Sequence, residues 1–206
     1  ALFGDWAGGY HLHSLLWHLA AVFMVGRLLG SLFDTTRGAI GATIYALHPV
    51  VSETVCFISA RNDSMALALG LGAVCLALPR TQSQTRLIGA ATMAAAAVMS
   101  KENGLVVLGL LPLIDWARGF SKRHLDRHAA LAAGAMTALC LREVVGPGVA
   151  HSPPLHAADM MADAKLNVLA TMLAKITWPY PLTDSLHIAY LETANIPAVT
   201  ALLFFL

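Results

Sequence analysis

Residues 11–33 read HLHSLLWHLAAVFMVGRLLGSLF, an apolar stretch that is long enough to cross a lipid bilayer as one helix. A transmembrane helix needs about 20 mostly apolar residues. Further apolar runs, separated by polar clusters, follow at about 38–58, 64–79, 87–101, 104–117 and 128–145, and a last run begins near Ile196. The sequence therefore predicts an all-α, polytopic transmembrane helix bundle with about seven spans.

The composition of the whole chain supports a membrane protein. Of the 206 residues, 57% are apolar and only 12% are charged, and the formal net charge is +1. A soluble domain carries about 25% charged residues, which it needs to cover its water-facing surface. Disordered chains combine low hydrophobicity with high net charge. The composition therefore argues against an ordinary soluble domain, a disordered chain and a nucleic-acid-binding protein.

The runs at 87–101 and 104–117 are short, and by themselves they could form one broken helix. Basic residues collect on the cytoplasmic side of membrane proteins, and this rule favours two separate spans. With two spans, one side receives eight of the 13 basic residues and three of the 12 acidic ones. The basic residues are Arg27, Arg37, Arg80, Arg86, Arg118, Lys122, Arg123 and Arg127, and the acidic ones are Asp34, Asp115 and Asp126. We assign this side to the cytoplasm.

Three regions follow from this topology. We expect a six-span transmembrane bundle over 1–145, an outer-face loop over 146–195 with an interfacial helix near 165–176, and the start of a truncated span over 196–206. The chain lacks an initiator Met and ends within an apolar run, so we expect a piece of a longer protein. Its Ala and Gly content points to a bacterial inner membrane protein. Small residues at helix-packing spacing, such as Gly26 with Gly30, favour closely packed helices.

Three polar segments meet at the outer side in this topology. They read HPVVSE at 48–53, RND at 61–63 and SKEN at 100–103. Ionisable residues at membrane depth are costly and usually functional. Arg61 and Lys101 could hold a phosphate or pyrophosphate, Arg as a planar fork and Lys as a point charge, and His48 could donate to a phosphate oxygen.

The acidic members of these segments are the candidate catalytic residues Glu53, Asp63 and Glu102. Each could orient a cation, bind sugar hydroxyls or act as a base on an acceptor hydroxyl. Structural alternatives stay open for all of them. Glu53 could pair with Arg61, Arg61 could form a loop salt bridge with Asp63, and Lys101 and Glu102 could terminate two helices at the interface. His48, which precedes Pro49, could be a helix-end residue satisfied by a carbonyl.

Histidines of the first span suggest helix packing more than metal binding. His11 and His18 are seven residues apart and share one face of the span. Histidines inside a span usually hydrogen-bond to a neighbouring helix. We predict no metal site.

The order of the motifs resembles that of one family of membrane glycosyltransferases. Tyr10-His11 with His18 is followed by His48-Pro49 with Glu53, then by Arg61-Asn62-Asp63 and by Ser100-Lys101-Glu102. This order is similar to that of the transmembrane and tetratricopeptide-repeat O-mannosyltransferase family and its bacterial relatives, which have the GT-C fold. The resemblance covers about residues 8–118 and continues weakly at 178–185.

The resemblance implies transfer of a mannose-like sugar from a polyprenyl-phosphate donor to a protein or glycan acceptor on the extracytoplasmic side. The family's catalytic Asp lies in the first outer loop, which we expect outside this fragment, because Asp5 does not match the motif. Ser14 stands where the family often has Asn. Dependence on a divalent metal stays open. The alternative is a non-catalytic multi-pass subunit or scaffold of a larger membrane complex, embedded in membrane lipid.

Overall fold

The computed structural model of the chain describes residues 6–57, 60–79, 82–119 and 125–145. All elements in these ranges are helices, and no strand occurs in them, which confirms the all-α prediction. The seven α-helices are α1 (Ala7–Leu32), α2 (Thr35–Leu47), α3 (Pro49–Cys56), α4 (Arg61–Ala77), α5 (Gln84–Ser100), α6 (Val107–Ala117) and α7 (Leu125–Val145). A 3-10 helix at Glu102–Val106 joins α5 to α6.

Two of the described helices, α1 and α7, are long and apolar enough to cross a membrane. Only 17% of the apolar window of α1 and 22% of that of α7 is buried within the structure, whereas the core helix of a soluble protein is mostly buried. The count of seven spans stays a prediction. The expected outer loop at 146–195, its helix near 165–176 and the last run at 196–206 lie outside the described residues.

The predicted second span at about 38–58 is not one continuous helix, because the chain divides there into two helices. The first of them, α2, ends at Leu47, and His48 has an extended backbone with φ −69° and ψ 126°. Pro49 then begins α3. A proline ring disfavours the helical conformation of the residue before it, while proline itself is well suited to the first position of a helix. The His48-Pro49 step therefore separates α2 from α3.

The start of α4 also differs from the prediction. Residues 61–63, expected in a loop, form the first turn of α4. This turn places the Asp63 carboxylate near a helix N-terminus, where the helix dipole stabilises a negative charge.

The expected break between the fourth and fifth runs is confirmed. Lys101 follows α5 with an extended backbone, at φ −161° and ψ 150°. Gly104 lies in the 3-10 helix directly against α5, and a Cβ added there would be 2.5 Å from the carbonyl carbon of Ala97. Only glycine allows this approach, which lets the 3-10 helix fold back on α5.

Small residues let the helices pack closely, as the sequence predicts. In α1 and α2, a Cβ on Gly38 would lie 2.7 Å from the carbonyl oxygen of Gly26 and 2.7 Å from the backbone nitrogen of Gly30. The core around α4 and α5 is rich in buried alanines, among them Ala66, Ala73, Ala77, Ala90, Ala94 and Ala97. The larger side chains of Val74, Leu111 and Leu131 complete this core.

This packing gathers the helix ends into two groups. One group, here named the Lys101 end, consists of the starts of α1 and α4, the end of α2, the α5–3-10 junction and the end of α7. The other group, the Arg127 end, consists of the ends of α1, α4 and α6 and the start of α7. Both groups carry charged side chains, and the candidates Arg61, Asp63, Lys101 and Glu102 belong to the first.

Candidate functional site

An ion pair between α4 and the α5–3-10 junction lies at the centre of the Lys101 end. The Lys101 ammonium donates to Oδ2 of Asp63 at 2.7 Å and lies 2.6 Å from Oδ1. The two residues are 38 positions apart in sequence. Both side chains are partly exposed, with 39% of Lys101 and 32% of Asp63 accessible to solvent. The pair therefore holds a cation at the surface of the bundle with one carboxylate as its counter-ion.

Arg61 lies in the same first turn of α4 as Asp63 and contacts an aromatic ring. Its guanidinium carbon is 5.7 Å from the centroid of the Tyr10 ring, which is within the range of a cation–π interaction. The structure thus places Arg61 against α1, while the Asp63 carboxylate pairs with Lys101. A planar guanidinium on an aromatic face keeps its N–H edge available for an anion.

A stacked pair of rings lies behind these charges, between α1 and α2. The buried ring of His18 stacks on Tyr45, with centroids 5.7 Å apart and an angle of 24° between the planes. This contact agrees with the expectation that His18 serves helix packing. Asp63 also interacts electrostatically with Tyr45, so the stacked pair and the ion pair are neighbours.

The next residue of the junction, Glu102, forms a second ion pair. Its Oε1 accepts a hydrogen bond from Nη2 of Arg142 at the end of α7. Glu102 is 66% exposed and Arg142 is 36% exposed. The hydrogen bond from the backbone of Glu102 and the hydrogen bond and charge of Arg142 hold the pKa of Glu102 below its ordinary value. Glu102 is therefore a carboxylate at neutral pH.

Sequence reasoning did not single out Arg142. Its guanidinium also donates from Nη1 to the carbonyl oxygen of Val98 at 3.2 Å, so Arg142 bridges α7 to the end of α5. The sequence did contain a signal that points to Arg142, because a cation in the last turn of an apolar helix needs a partner. The partner itself is 40 residues away in sequence, at Glu102.

The remaining two candidates lie around the α2–α3 step. His48 accepts a hydrogen bond at Nδ1 from the backbone N–H of Val50, at 3.2 Å. In the neutral imidazole the proton then resides on Nε2. Glu53 belongs to α3, and its side chain lies outside the described part of the structure.

A buried charge network at the Arg127 end was also missed, since the sequence places Arg127 in a basic cytoplasmic loop before a span that starts near 128. In the structure α7 begins at Leu125, and Arg127 is only 2% exposed. Its Nη1 donates to the carbonyls of Ala77 at 3.1 Å and Leu78 at 3.0 Å, and its Nη2 donates to Asp115 Oδ2 at 2.8 Å.

His128 lies at the same carboxylate, with Nε2 3.1 Å from Asp115 Oδ2. The network joins the ends of α4 and α6 to the start of α7. The Arg127 guanidinium satisfies carbonyls at the end of α4 that have no helical partner, which is a structural role.

The chemical capacity of the Lys101 end follows from its cations. Arg61 and Lys101 are a fork and a point charge, the two kinds of cation with which proteins bind phosphate. Asp63 and Glu102 neutralise part of this charge in the absence of a ligand. Within the described ranges, no group of three or more His, Cys, Asp or Glu residues could hold a metal ion.

Comparison with known proteins gives one distant relative. A Caenorhabditis elegans protein named Protein O-mannosyl-transferase F38B6.6 is 27% identical over 112 residues, which are 52% of this chain and 16% of the relative. The chain thus spans 16% of the length of that relative. No protein-family model matches the chain, and no solved structure matches it. The similarity supports a glycosyltransferase-like relationship, in agreement with the coarse form of the resemblance seen in the motifs.

Proposed function

We propose that the chain is part of a multi-pass membrane glycosyltransferase with a GT-C-like bundle of about seven spans. The enzyme moves a mannose-like sugar from a polyprenyl-phosphate donor to a protein or glycan acceptor on the extracytoplasmic side. Three observations support the proposal: the order of the motifs, the distant similarity to a protein named as an O-mannosyltransferase, and the charges at the Lys101 end.

The observation that carries the proposal is the arrangement of Arg61, Asp63 and Lys101 at one end of the described helices. The donor phosphate binds to Lys101 and Arg61. The donor phosphate is a diester with one negative charge, as a carboxylate has, and it displaces Asp63 from Lys101 because it can accept hydrogen bonds from Lys101 and Arg61 together. Asp63 keeps the ammonium at its position until the phosphate arrives.

The other candidates take supporting roles in this proposal. His48 donates to a phosphate oxygen of the donor. Glu53 and Glu102 orient the cations or bind sugar hydroxyls, since neither the contacts of Glu102 nor the position of Glu53 singles out a base. The base that activates the acceptor hydroxyl is an acidic residue of the first outer loop, as in the family that the motifs resemble.

The experiment compares two variants of the full-length protein in membranes, with a polyprenyl-phosphate sugar as the donor. Lys101→Ala removes a side chain that is proposed to bind the donor phosphate. Arg37→Ala is the matched control, because Arg37 also pairs with an aspartate, Asp34, at 3.3 Å. Since a charge-assisted hydrogen bond is at stake, Lys101→Ala is expected to lower kcat/KM by at least about 10-fold, whereas Arg37→Ala leaves it unchanged.

Two outcomes contradict the proposal. Normal transfer by Lys101→Ala removes Lys101 from the donor site. A wild-type protein that neither transfers sugar nor binds polyprenyl phosphate favours the alternative, a non-catalytic subunit or scaffold of a larger membrane complex.

A further inference from the structure

Lys101 owes its position to an unusual piece of backbone. It is the one extended residue between the end of α5 and the 3-10 helix, and its N–H donates to the carbonyl of Ala97 at 3.1 Å. A lysine side chain is long and flexible, so the place of its ammonium depends strongly on the backbone that carries it. Whatever holds this junction also determines where Lys101 presents its charge.

Arg142 holds the junction on both sides of Lys101. Its Nη1 donates to the carbonyl of Val98, three residues before Lys101, and its Nη2 donates to the carboxylate of Glu102, the next residue. Val98 is in the last turn of α5, where the carbonyls lack helical partners. One planar guanidinium thus ties the end of α5 and the start of the 3-10 helix to α7.

The neighbouring junction residues Lys101 and Glu102 have opposite charges and contact different helices. Lys101 reaches α4 through Asp63, and Glu102 reaches α7 through Arg142. Without the pair to Arg142, the junction loses its described side-chain link to α7 and keeps its backbone hydrogen bonds to α5. The proposed phosphate displaces Asp63 from Lys101, so the Arg142 contacts are then the described side-chain link that ties the junction to a neighbouring helix.

We propose that Arg142 is a positioning residue, which acts on the donor phosphate through Lys101. This inference rests on the proposed function. A direct phosphate contact is the competing role for Arg142, but both of its terminal nitrogens already donate to acceptors of the junction. A planar fork suits this double contact, since its two donors are fixed relative to each other.

The test measures KM and kcat for a polyprenyl-phosphate sugar, and equilibrium binding of polyprenyl monophosphate, with the full-length protein. Arg142→Gln is expected to raise KM and the Kd by about 10-fold, with a smaller change in kcat, because it weakens the binding of the donor phosphate. Arg142→Lys is expected to recover part of the affinity, because one ammonium can replace only part of the fork.

Arg118→Gln is the matched control. Arg118 also donates its guanidinium to a backbone carbonyl near the end of a helix, that of Ser31 at 2.9 Å, but at the Arg127 end. This variant is expected to leave KM and Kd unchanged. A similar rise of KM and Kd in both variants would indicate a general effect on the fold and would overturn the positioning role.

Glu102→Gln separates positioning from direct binding by the sign of its effect. If Arg142 positions Lys101, the weaker contact to the amide raises the Kd for polyprenyl monophosphate slightly. If Arg142 binds the phosphate itself, removal of the competing carboxylate lowers the Kd, and the inference is overturned.

The lysine variant distinguishes the failure of this inference from that of the proposed function. If Lys101→Ala impairs binding and Arg142→Gln does not, only the positioning role is wrong. If both variants bind and transfer normally, or the wild-type protein does not bind polyprenyl monophosphate, the proposed function fails and the positioning role fails with it.

Discussion

Replacing Arg127 with Met tests whether the buried network at the Arg127 end holds the helices together. The variant removes the hydrogen bonds to the carbonyls of Ala77 and Leu78 and leaves Asp115, which is 12% exposed, without its arginine. Breaking a buried ion pair by removing one partner costs about 3–5 kcal/mol, because the remaining charge is buried without compensation. The loss of two hydrogen-bonded carbonyls acts in the same direction.

His128 reduces this cost in part. Its Nε2 lies 3.1 Å from the same carboxylate oxygen, so Asp115 keeps one polar neighbour when the arginine is removed. We therefore expect Arg127→Met to lower the free energy of unfolding by about 3 kcal/mol at neutral pH, the lower part of that range.

The assay is chemical denaturation of the full-length protein in one detergent, during which the loss of helical structure is measured. Asp115→Leu and the double variant Arg127→Met with Asp115→Leu complete a double-mutant cycle. The double variant is expected to be more stable than either single variant, because it leaves no unpaired buried charge.

Arg118→Met, at an exposed arginine of the same end, is the control and should cost less than about 1 kcal/mol. A loss below about 1 kcal/mol for Arg127→Met, or strictly additive effects in the cycle, would refute the reasoning.

Two further predictions concern the Lys101 end. Gly104→Ala places a Cβ 2.5 Å from the carbonyl carbon of Ala97, so the 3-10 helix must move away from α5. We expect the free energy of unfolding to fall by about 1–3 kcal/mol and the binding of polyprenyl monophosphate to weaken. Unchanged binding would contradict the link to Lys101. The lowered pKa of Glu102 means that its pair with Arg142 stabilises the fold above the unfolded-state pKa and that this stabilisation is lost as the pH falls through the folded-state pKa. Unfolding of wild type and Glu102→Gln should therefore differ at pH 7 and converge in acid, and a constant difference across that range would exclude the ionised pair as the cause.

The division of the predicted second span shows how much local sequence can predict. His48-Pro49 has a direct backbone consequence, since proline restricts the residue before it, and α2 ends there. The sequence therefore allowed a helix end at His48, although the hydrophobicity of 38–58 by itself predicts one span. Hydrophobicity reports where a segment is buried or in lipid, while proline reports where its helix ends.

The ion pairs show where local sequence stops being sufficient. The outer polar segments allowed several pairings, among them one between Arg61 and Asp63 in a loop. The structure instead pairs Asp63 with Lys101 and places Arg61 over Tyr10. Because Asp63 lies in the first turn of α4 and not in a loop, its side chain can project towards the α5 junction.

The sequence by itself determined the local properties of each segment. Apolar runs, prolines and small residues act on the nearest turns of the chain, so the helical class, the break after Ser100 and the polar character of the helix ends are readable from it. Tertiary structure alone decided the partners. Whether Arg142 contacts Glu102 and whether Arg127 is buried depend on which helix ends the close packing of α4, α5 and α7 brings together. The position of a charge along one helix does not determine which other helix end lies close to it, because the packing of the core sets that distance.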